Sequence, residues 1–282
     1  MNLDLVPNWL RIILLILSIA SFLPQFQRIC RTKEFTGLSL SYVLCNLMSA
    51  TEQFTLLFFL LVNETEYADI IQPTTGDWIN LAQLAAVWIL WLLLFLMGLY
   101  YPSDRHSRQY KVSVSIMYIS LLLISLVPVV ADAIDYYFVS TEEDGYRNLG
   151  LDIFGGFHYS YIHPVMTLVG IYAWFPQSRE LRSRAQLHAL SQTGLAAQAV
   201  VFSLVAISWT VRVKLYNSPL PDLPLWATFP EWYKYVWWAA VDNMIFAGIQ
   251  TGLYFKTRRQ EQPPVDGETQ PLLADGVSGR EE

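Results

Sequence analysis

Three ionisable side chains lie near the middle of long apolar segments. They are Glu52 in the second segment, His163 in the fifth and Asp242 in the last. Because burial in hydrocarbon is costly for a charge, an ionisable residue inside a membrane helix is by default a functional candidate. Each of these groups can bind and release a proton, so we interpret all three as candidate proton- or ion-coupling residues.

Amide side chains accompany these groups and suit the binding of a polar solute. Asn46 and Gln53 are seven residues apart and therefore share one face of a helix, while Asn243 directly follows Asp242. Gln198 is the counterpart of Asn46 in the repeat described below. Because an amide both donates and accepts hydrogen bonds, we predict that these four residues bind the substrate.

The sequence contains no pattern typical of an enzyme or a metal site. His158 and His163 have no further ligands at the spacing of a metal site, so buried, hydrogen-bonded histidines are the simpler interpretation, although His163 could titrate in an acidic lumen. No nucleophile–base pair lies at membrane depth, and no G-x-x-x-x-G-K loop is present. We therefore expect no enzymatic activity, no cofactor, no metal and no use of ATP.

The elements that position these residues are predicted to be transmembrane helices. Apolar residues make up 54% of the 282 positions and charged residues only 15%, against about 25% charged residues in soluble domains. A helix needs about 20 apolar residues to cross a hydrocarbon core of about 30 Å. The sequence predicts an all-α integral membrane protein with seven such helices, at 9–29, 38–62, 78–101, 112–133, 151–175, 190–211 and 232–255. Pro128 is expected to interrupt the fourth.

Basic residues predict the orientation of the chain in the membrane. Thirteen of the 18 lysines and arginines follow the first, third, fifth and seventh helices, whereas the other loops are acidic. Because basic loops remain on the cytosolic side, we expect a lumenal N-terminus and a cytosolic C-terminus. The net charge of −6 also makes nucleic acid an unexpected partner.

The chain repeats itself with a shift of 152 residues. Pro24-Gln25 ends the first helix and Pro176-Gln177 ends the fifth, and in both copies a basic loop and a Leu-Ser pair follow. The same shift relates Asn46 to Gln198. Because both copies begin on the same side, the fourth helix must return the chain across the membrane, as in transporters built from parallel repeats with a substrate site between the halves.

These motifs resemble the PQ-loop repeat family. The resemblance rests on Pro24-Gln25 with Thr36-Gly37-Leu38-Ser39, and on Pro176-Gln177 with Leu190-Ser191. That family includes cystinosin, vacuolar basic amino acid transporters and, more distantly, the SWEET sugar transporters and the KDEL receptor. It implies a 3+1+3 arrangement of helices with the SWEET-type fold. In proton-coupled relatives the position of Gln198 holds an acid, so proton coupling stays open here.

The motif prolines are predicted hinges, because proline removes a helical hydrogen bond and bends the helix. Gln25 and Gln177 would supply polar groups beside those bends. The repeat divides the chain into a first three-helix unit at 1–101, a linker helix at 102–139, a second unit at 140–255 and a disordered cytosolic tail at 256–282.

Two short signals concern sorting and modification. Glu268, Leu272 and Leu273 form an acidic dileucine pattern, which cytosolic adaptors read to sort membrane proteins to lysosomes or vacuoles. Asn63 begins a glycosylation sequon on the predicted lumenal side, although its closeness to the second helix opposes occupancy. The favoured location is therefore a vacuolar or lysosomal membrane.

We expect a secondary transporter of a small polar solute. Acidic lumenal loops and acidic intramembrane groups favour a cationic or zwitterionic amino acid, moved by alternating access and open to proton coupling. Sugars remain an alternative, because amides and tryptophan faces also bind them. A non-transporting receptor or scaffold of the KDEL-receptor kind is the other alternative. The sequence decides neither the solute nor the oligomeric state.

Overall fold

Long helices make up nearly all of the described chain. The computed structural model describes residues 6–63, 74–103, 107–139, 145–183, 189–212 and 238–261, and no β-strand occurs in these ranges. The sorting signal at 268–273 and most of the predicted tail lie outside them. The α-helices are α1 (Asn8–Thr32), α2 (Leu40–Phe58), α3 (Thr75–Tyr100), α4 (Arg108–Ile124), α5 (Leu126–Phe138), α6 (Gly145–Phe157), α7 (His163–Tyr172), α8 (Trp174–Arg182), α9 (Gln192–Trp209) and α10 (Trp238–Glu261).

These helices join into rods that match the predicted spans. A π-helical turn at Phe59–Asn63 extends α2, α4 continues into α5, and a second π-helical turn at His158–Ile162 joins α6 to α7. Five rods are long and apolar enough to cross a membrane: Asn8–Thr32, Leu40–Asn63, Thr75–Tyr100, Arg108–Phe138 and Gln192–Trp209. The prediction of an all-helical, multi-pass membrane protein is confirmed, while the 3+1+3 arrangement stays a prediction.

Two predicted spans do not meet that criterion. In the fifth, the polar and aromatic segment from His158 to His163 lowers the mean hydropathy, and a break at Ala173 follows α7. The seventh, α10, is continuous, but Asp242, Asn243 and Gln250 lower its mean hydropathy. It also extends past the predicted end at residue 255 as far as Glu261.

Prolines explain where the rods are interrupted. A proline ring clashes with the carbonyl group four residues before it. Four residues before Pro128 is the last residue of α4, and four residues before Pro176 is the last residue of α7. The predicted interruption by Pro128 is therefore present. Pro24 behaves differently, since α1 continues through it.

The helices bury one side and expose the other. α9 packs along α10, α3 packs against both α1 and α2, and α1 also contacts α9. The outward side chains of α4 and α5 are apolar, including Ile116 and Leu123, each 59% exposed. Apolar surface of this extent is explained by contact with lipid.

The contact between α2 and α3 depends on a small residue. A Cβ atom on Gly98 of α3 would lie 2.7 Å from Leu40 and 2.9 Å from Phe35. Both neighbours are fully buried, so neither can move away easily. Glycine at this position therefore allows α3 to approach the start of α2.

We predict that Gly98→Ala destabilises the protein by about 1–3 kcal/mol through overpacking. The thermal unfolding midpoint in detergent, followed by tryptophan fluorescence, should fall. Gly248→Ala in α10 is the matched control, since a Cβ there meets no atom within 4 Å. Equal midpoints for the two variants would contradict this account of the helix contact.

Candidate functional site

Each motif glutamine binds the backbone of the other repeat. Gln25 in α1 donates from Nε2 to the carbonyl of Ala189 over 2.7 Å, and its Oε1 accepts from the amide of Ser191 over 2.9 Å. Gln177 in α8 donates to the carbonyl of Gly37 and accepts from the amide of Ser39, both over 2.9 Å. The same shift of 152 residues that defines the repeat relates all the partners. We call these four hydrogen bonds the glutamine clasp.

The clasp holds the starts of α2 and α9, one helix from each repeat. Ser39 and Ser191 are the N-cap residues of these helices, and each hydroxyl accepts from a backbone amide of the first turn. A direct hydrogen bond of 2.9 Å also joins the amide of Ala189 to the carbonyl of Thr36. Gln25 and Gln177 are buried, so water does not compete with these bonds. We call the end of the bundle that carries the clasp the PQ end.

Glycine is required in only one of the two copies. Gly37 has a φ of 93°, in the left-handed region where a Cβ atom is disfavoured. Its counterpart Ala189 is not among the described residues with positive φ. The two copies therefore present equivalent backbone groups with different local conformations.

A cavity of about 40 Å³ lies deeper in the bundle than the clasp. One water molecule needs about 10–15 Å³ of cavity volume, so the cavity has room for a few water molecules. Helices must separate before it can admit an amino acid. Side chains from both repeats form its wall: Asn46, Ser49, Ala50, Gln53, Val87, Trp91, Thr167, Gly170, Phe202, Asp242, Asn243, Ile245 and Phe246.

Asp242 is the ionisable group of this cavity. Its Oδ1 accepts from the hydroxyl of Thr167 over 2.7 Å, and its Oδ2 accepts from Nε2 of Gln53 over 3.2 Å. Nε2 of His163 is 3.6 Å from Oδ2. Because both oxygens accept, the arrangement suits the ionised carboxylate.

The motif region of the chain is similar to a known protein family. Residues 6–65 match the family model of the PQ loop repeat. The chain therefore contains a PQ loop repeat. Comparison with curated proteins and with solved structures gave no match, so the cystinosin-like subfamily is not confirmed. The matched segment contains α1 and α2, the first two helices of the first copy, and the clasp relates Gln25 within it to Gln177.

The four amide residues predicted to bind substrate divide between the cavity and its surroundings. Asn46 and Asn243 line the cavity, and each donates to a backbone carbonyl of its own helix, over 2.8 and 2.6 Å. Gln53 lines the cavity and binds Asp242. Gln198 is buried in α9 but is not part of the wall. The substrate roles of these residues stay predictions.

The two other candidate coupling residues are close to Asp242 without lining the cavity. Glu52 precedes Gln53 in α2 and pairs with His158, whose Nδ1 lies 2.7 Å from Oε1. His158 is five residues before His163 across the π-helical turn. The bundle thus contains two adjacent carboxylate–imidazole pairs. His158 was interpreted as a buried, hydrogen-bonded histidine, and this interpretation agrees with its contact.

Aromatic rings from α3, α9 and α10 line the cavity, and a ring from α1 packs against them. Trp91 of α3 makes edge contacts with Phe22 of α1 and Phe246 of α10, with ring centroids 5.4 and 5.5 Å apart. Phe202 of α9 contacts Phe246 at 4.6 Å. The sequence did not predict these rings, because they come from segments far apart in the chain. Thr167 was predictable as a cavity residue, since it follows His163 by four residues on the same helix face.

The structure opposes modification of Asn63, whose sequon was not expected to be occupied. Its side chain is fully buried, and Nδ2 donates to the carbonyl of Val129 and to Asp132, both over 2.8 Å. Asp132 also forms an ion pair of 2.8 Å with Arg147. The nitrogen that would receive a sugar is therefore occupied. In the described part of the chain, no three His, Cys, Asp or Glu side chains are grouped to hold a metal.

We predict that Gln25→Ala and Gln177→Ala each destabilise the folded state. Each substitution leaves two buried backbone groups without their partner, at a cost of about 1–3 kcal/mol per group. Gln27→Ala in α1 is the matched control, since Gln27 is exposed. The thermal unfolding midpoints of the three variants in detergent test this prediction. Equal midpoints for Gln25→Ala and Gln27→Ala would show that the clasp does not stabilise the folded state.

Proposed function

We propose that this protein with a PQ loop repeat is a secondary transporter that moves a small polar solute by alternating access. The observation that carries the proposal is the cavity with Asp242 in its wall, enclosed by helices of both repeats. A site between parallel repeats becomes accessible from either side when the repeats rock against each other. The family itself includes membrane transporters and related proteins.

Contacts at both ends of the cavity support this mechanism. The glutamine clasp joins the repeats at the PQ end. At the opposite end Arg212, which follows α9, donates to Asn80 and Gln83 of α3 over 3.0 and 2.6 Å. In the described part of the chain, the two repeats are thus in contact at both ends of the cavity. Alternating access requires that one set of contacts opens while the other stays formed.

Two positions are suited to act as hinges for this motion: the break before Pro176, and Pro24 within α1. α7 and α8 are separated at Ala173, next to the second motif, whereas α1 is continuous. The two motifs would therefore contribute unequally, with the larger change of angle between α7 and α8. A helix interrupted by proline lacks one restraining hydrogen bond at that point.

The wall of the cavity favours a solute with an ammonium group. Asp242 supplies a negative charge and two asparagines supply amide groups. The faces and edges of Trp91, Phe202 and Phe246 surround them, and a cation is attracted to an aromatic face. We therefore favour a cationic or zwitterionic amino acid. A sugar uses the same amides and aromatic rings, and its hydroxyls can donate to the carboxylate, but it carries no positive charge to pair with Asp242.

Asp242 also suits proton coupling. As a carboxylate it attracts an ammonium group, and protonation would remove that attraction and release the solute. His163 at 3.6 Å and the Glu52–His158 pair are the neighbouring groups that could exchange the proton. We propose the vacuole or lysosome as the location, with the PQ end cytosolic, because an acidic lumen would supply protons to this site.

Radiolabelled counterflow in proteoliposomes tests the transport proposal. The panel contains lysine, arginine, cystine, neutral amino acids and glucose, each with and without an acid-inside gradient. Saturable exchange of one amino acid is expected. Exchange of glucose alone would assign a sugar transporter, and folded protein without any exchange would favour a receptor or scaffold.

We predict that Asp242→Asn raises the KM for the transported amino acid at least about tenfold, because loss of a buried charge partner costs about 2 kcal/mol or more. Stimulation by the acid gradient should disappear as well. The change is nearly isosteric, and the Thr167 hydroxyl can accept instead of donating. Asp152→Asn, at an exposed position of α6, is the control. Unchanged KM and pH dependence in Asp242→Asn would transfer the proton role to another group.

A further inference from the structure

Two arginines are buried together at the end of the bundle opposite the clasp. Arg11 of α1 and Arg212 after α9 are each only 3% exposed. Nη2 of Arg11 donates to the backbone carbonyl of Arg212 over 3.3 Å, so the two residues are in direct contact. We call them the arginine pair. Burying two like charges is costly unless opposite charges compensate them.

Arg212 is held by neutral groups. Its Nη1 donates to Oδ1 of Asn80 and Oε1 of Gln83, and its Nε donates to the hydroxyl of Ser208 over 3.0 Å. The guanidinium carbon lies 5.0 Å from the centre of the Trp209 ring. These contacts fix the orientation of the side chain but do not neutralise its charge. Within the described ranges Arg212 forms no ion pair.

In the described ranges, one carboxylate faces the arginine pair, and it contacts only Arg11. Nη1 of Arg11 is 3.9 Å from Oδ1 of Asp77. The other oxygen of Asp77 caps α3, where it accepts from the amide and the hydroxyl of Thr74 over 3.0 and 2.7 Å. An excess of positive charge therefore remains. Burial lowers the pKa of Arg212 to about 9, and the charge of Arg11 is the second cause.

Three donors of this cluster are left without a partner. Nη1 of Arg11, Nη2 of Arg212 and Nδ2 of Asn80 are buried and have no hydrogen-bond acceptor in the described part of the chain. Unpaired buried donors are costly. A group that accepts several hydrogen bonds and carries a negative charge would satisfy them. Guanidinium groups match carboxylates well, since their N–H groups form a planar fork.

We propose that the arginine pair is a second ligand site, which binds the carboxylate of a small solute. The site joins both repeats, since Arg11 and Asn80 belong to the first and Arg212 to the second. Gln83 is one helical turn, about 6 Å, from Val87 in the cavity wall. In the described conformation protein covers the donors, so the carboxylate enters when α9 separates from α3. A solute arriving from this end meets the arginine pair before it reaches Asp242.

Binding of potassium acetate to the purified full-length chain tests this site independently of transport. Acetate is titrated at constant pH and ionic strength, with potassium chloride as the balancing salt. The wild-type unfolding midpoint should rise by about 2–4 °C at saturating acetate. The shift should vanish in Arg11→Gln and Arg212→Gln. Arg147→Gln is the matched control, because Arg147 is paired with Asp132, and it should keep the shift.

Further measurements distinguish acetate binding at the arginine pair from other causes of a higher unfolding midpoint. A general salt effect on stability would appear equally in all variants and would overturn the proposal, as would the absence of a shift in the wild type. A larger shift with inorganic phosphate than with acetate would overturn the carboxylate assignment. Arg212→Lys preserves the charge without the fork and should need at least about tenfold more acetate, given the stronger bidentate contact of arginine. An unchanged acetate requirement in Arg212→Lys would contradict the proposed geometry.

Discussion

The reciprocal binding of Gln25 and Gln177 is the interaction on which the rest of the structure depends. Each side chain satisfies one backbone donor and one backbone acceptor at the start of a helix in the other repeat. Such groups are buried and would otherwise lack partners, which a membrane protein cannot obtain from lipid. The two repeats are therefore joined by their own motifs, and the glutamine has a structural task as specific as that of the neighbouring proline.

Polar contacts of different chemistry join the repeats at the two ends. The PQ end uses neutral amides that bind backbone groups completely. The opposite end uses Arg11 and Arg212, whose donors are only partly satisfied. An incompletely satisfied set of contacts costs less to separate than a complete one. This difference favours opening at the arginine end over opening at the PQ end in the absence of a ligand.

Between these ends, the polar interior is concentrated around Asp242. Its carboxylate is bound by Thr167 and Gln53 from two different helices, and the pair Glu52–His158 lies directly beside it. Three aromatic rings, those of Trp91, Phe202 and Phe246, line the same cavity. The combination of one charge, several amides and aromatic walls is the basis of the proposed recognition of a small, positively charged solute.

The sequence alone determined the helical membrane architecture, the repeat and most of the polar cavity residues. These features are local or periodic: apolar length defines a span, a shift of 152 residues relates the copies, and Asp242 stands out among apolar neighbours. Tertiary structure decided the remainder. The partners of Gln25, the pairing of Glu52 with His158 and the contact of Arg11 with Arg212 join segments far apart in the chain. No spacing in the sequence records such contacts, because they arise from the packing of helices.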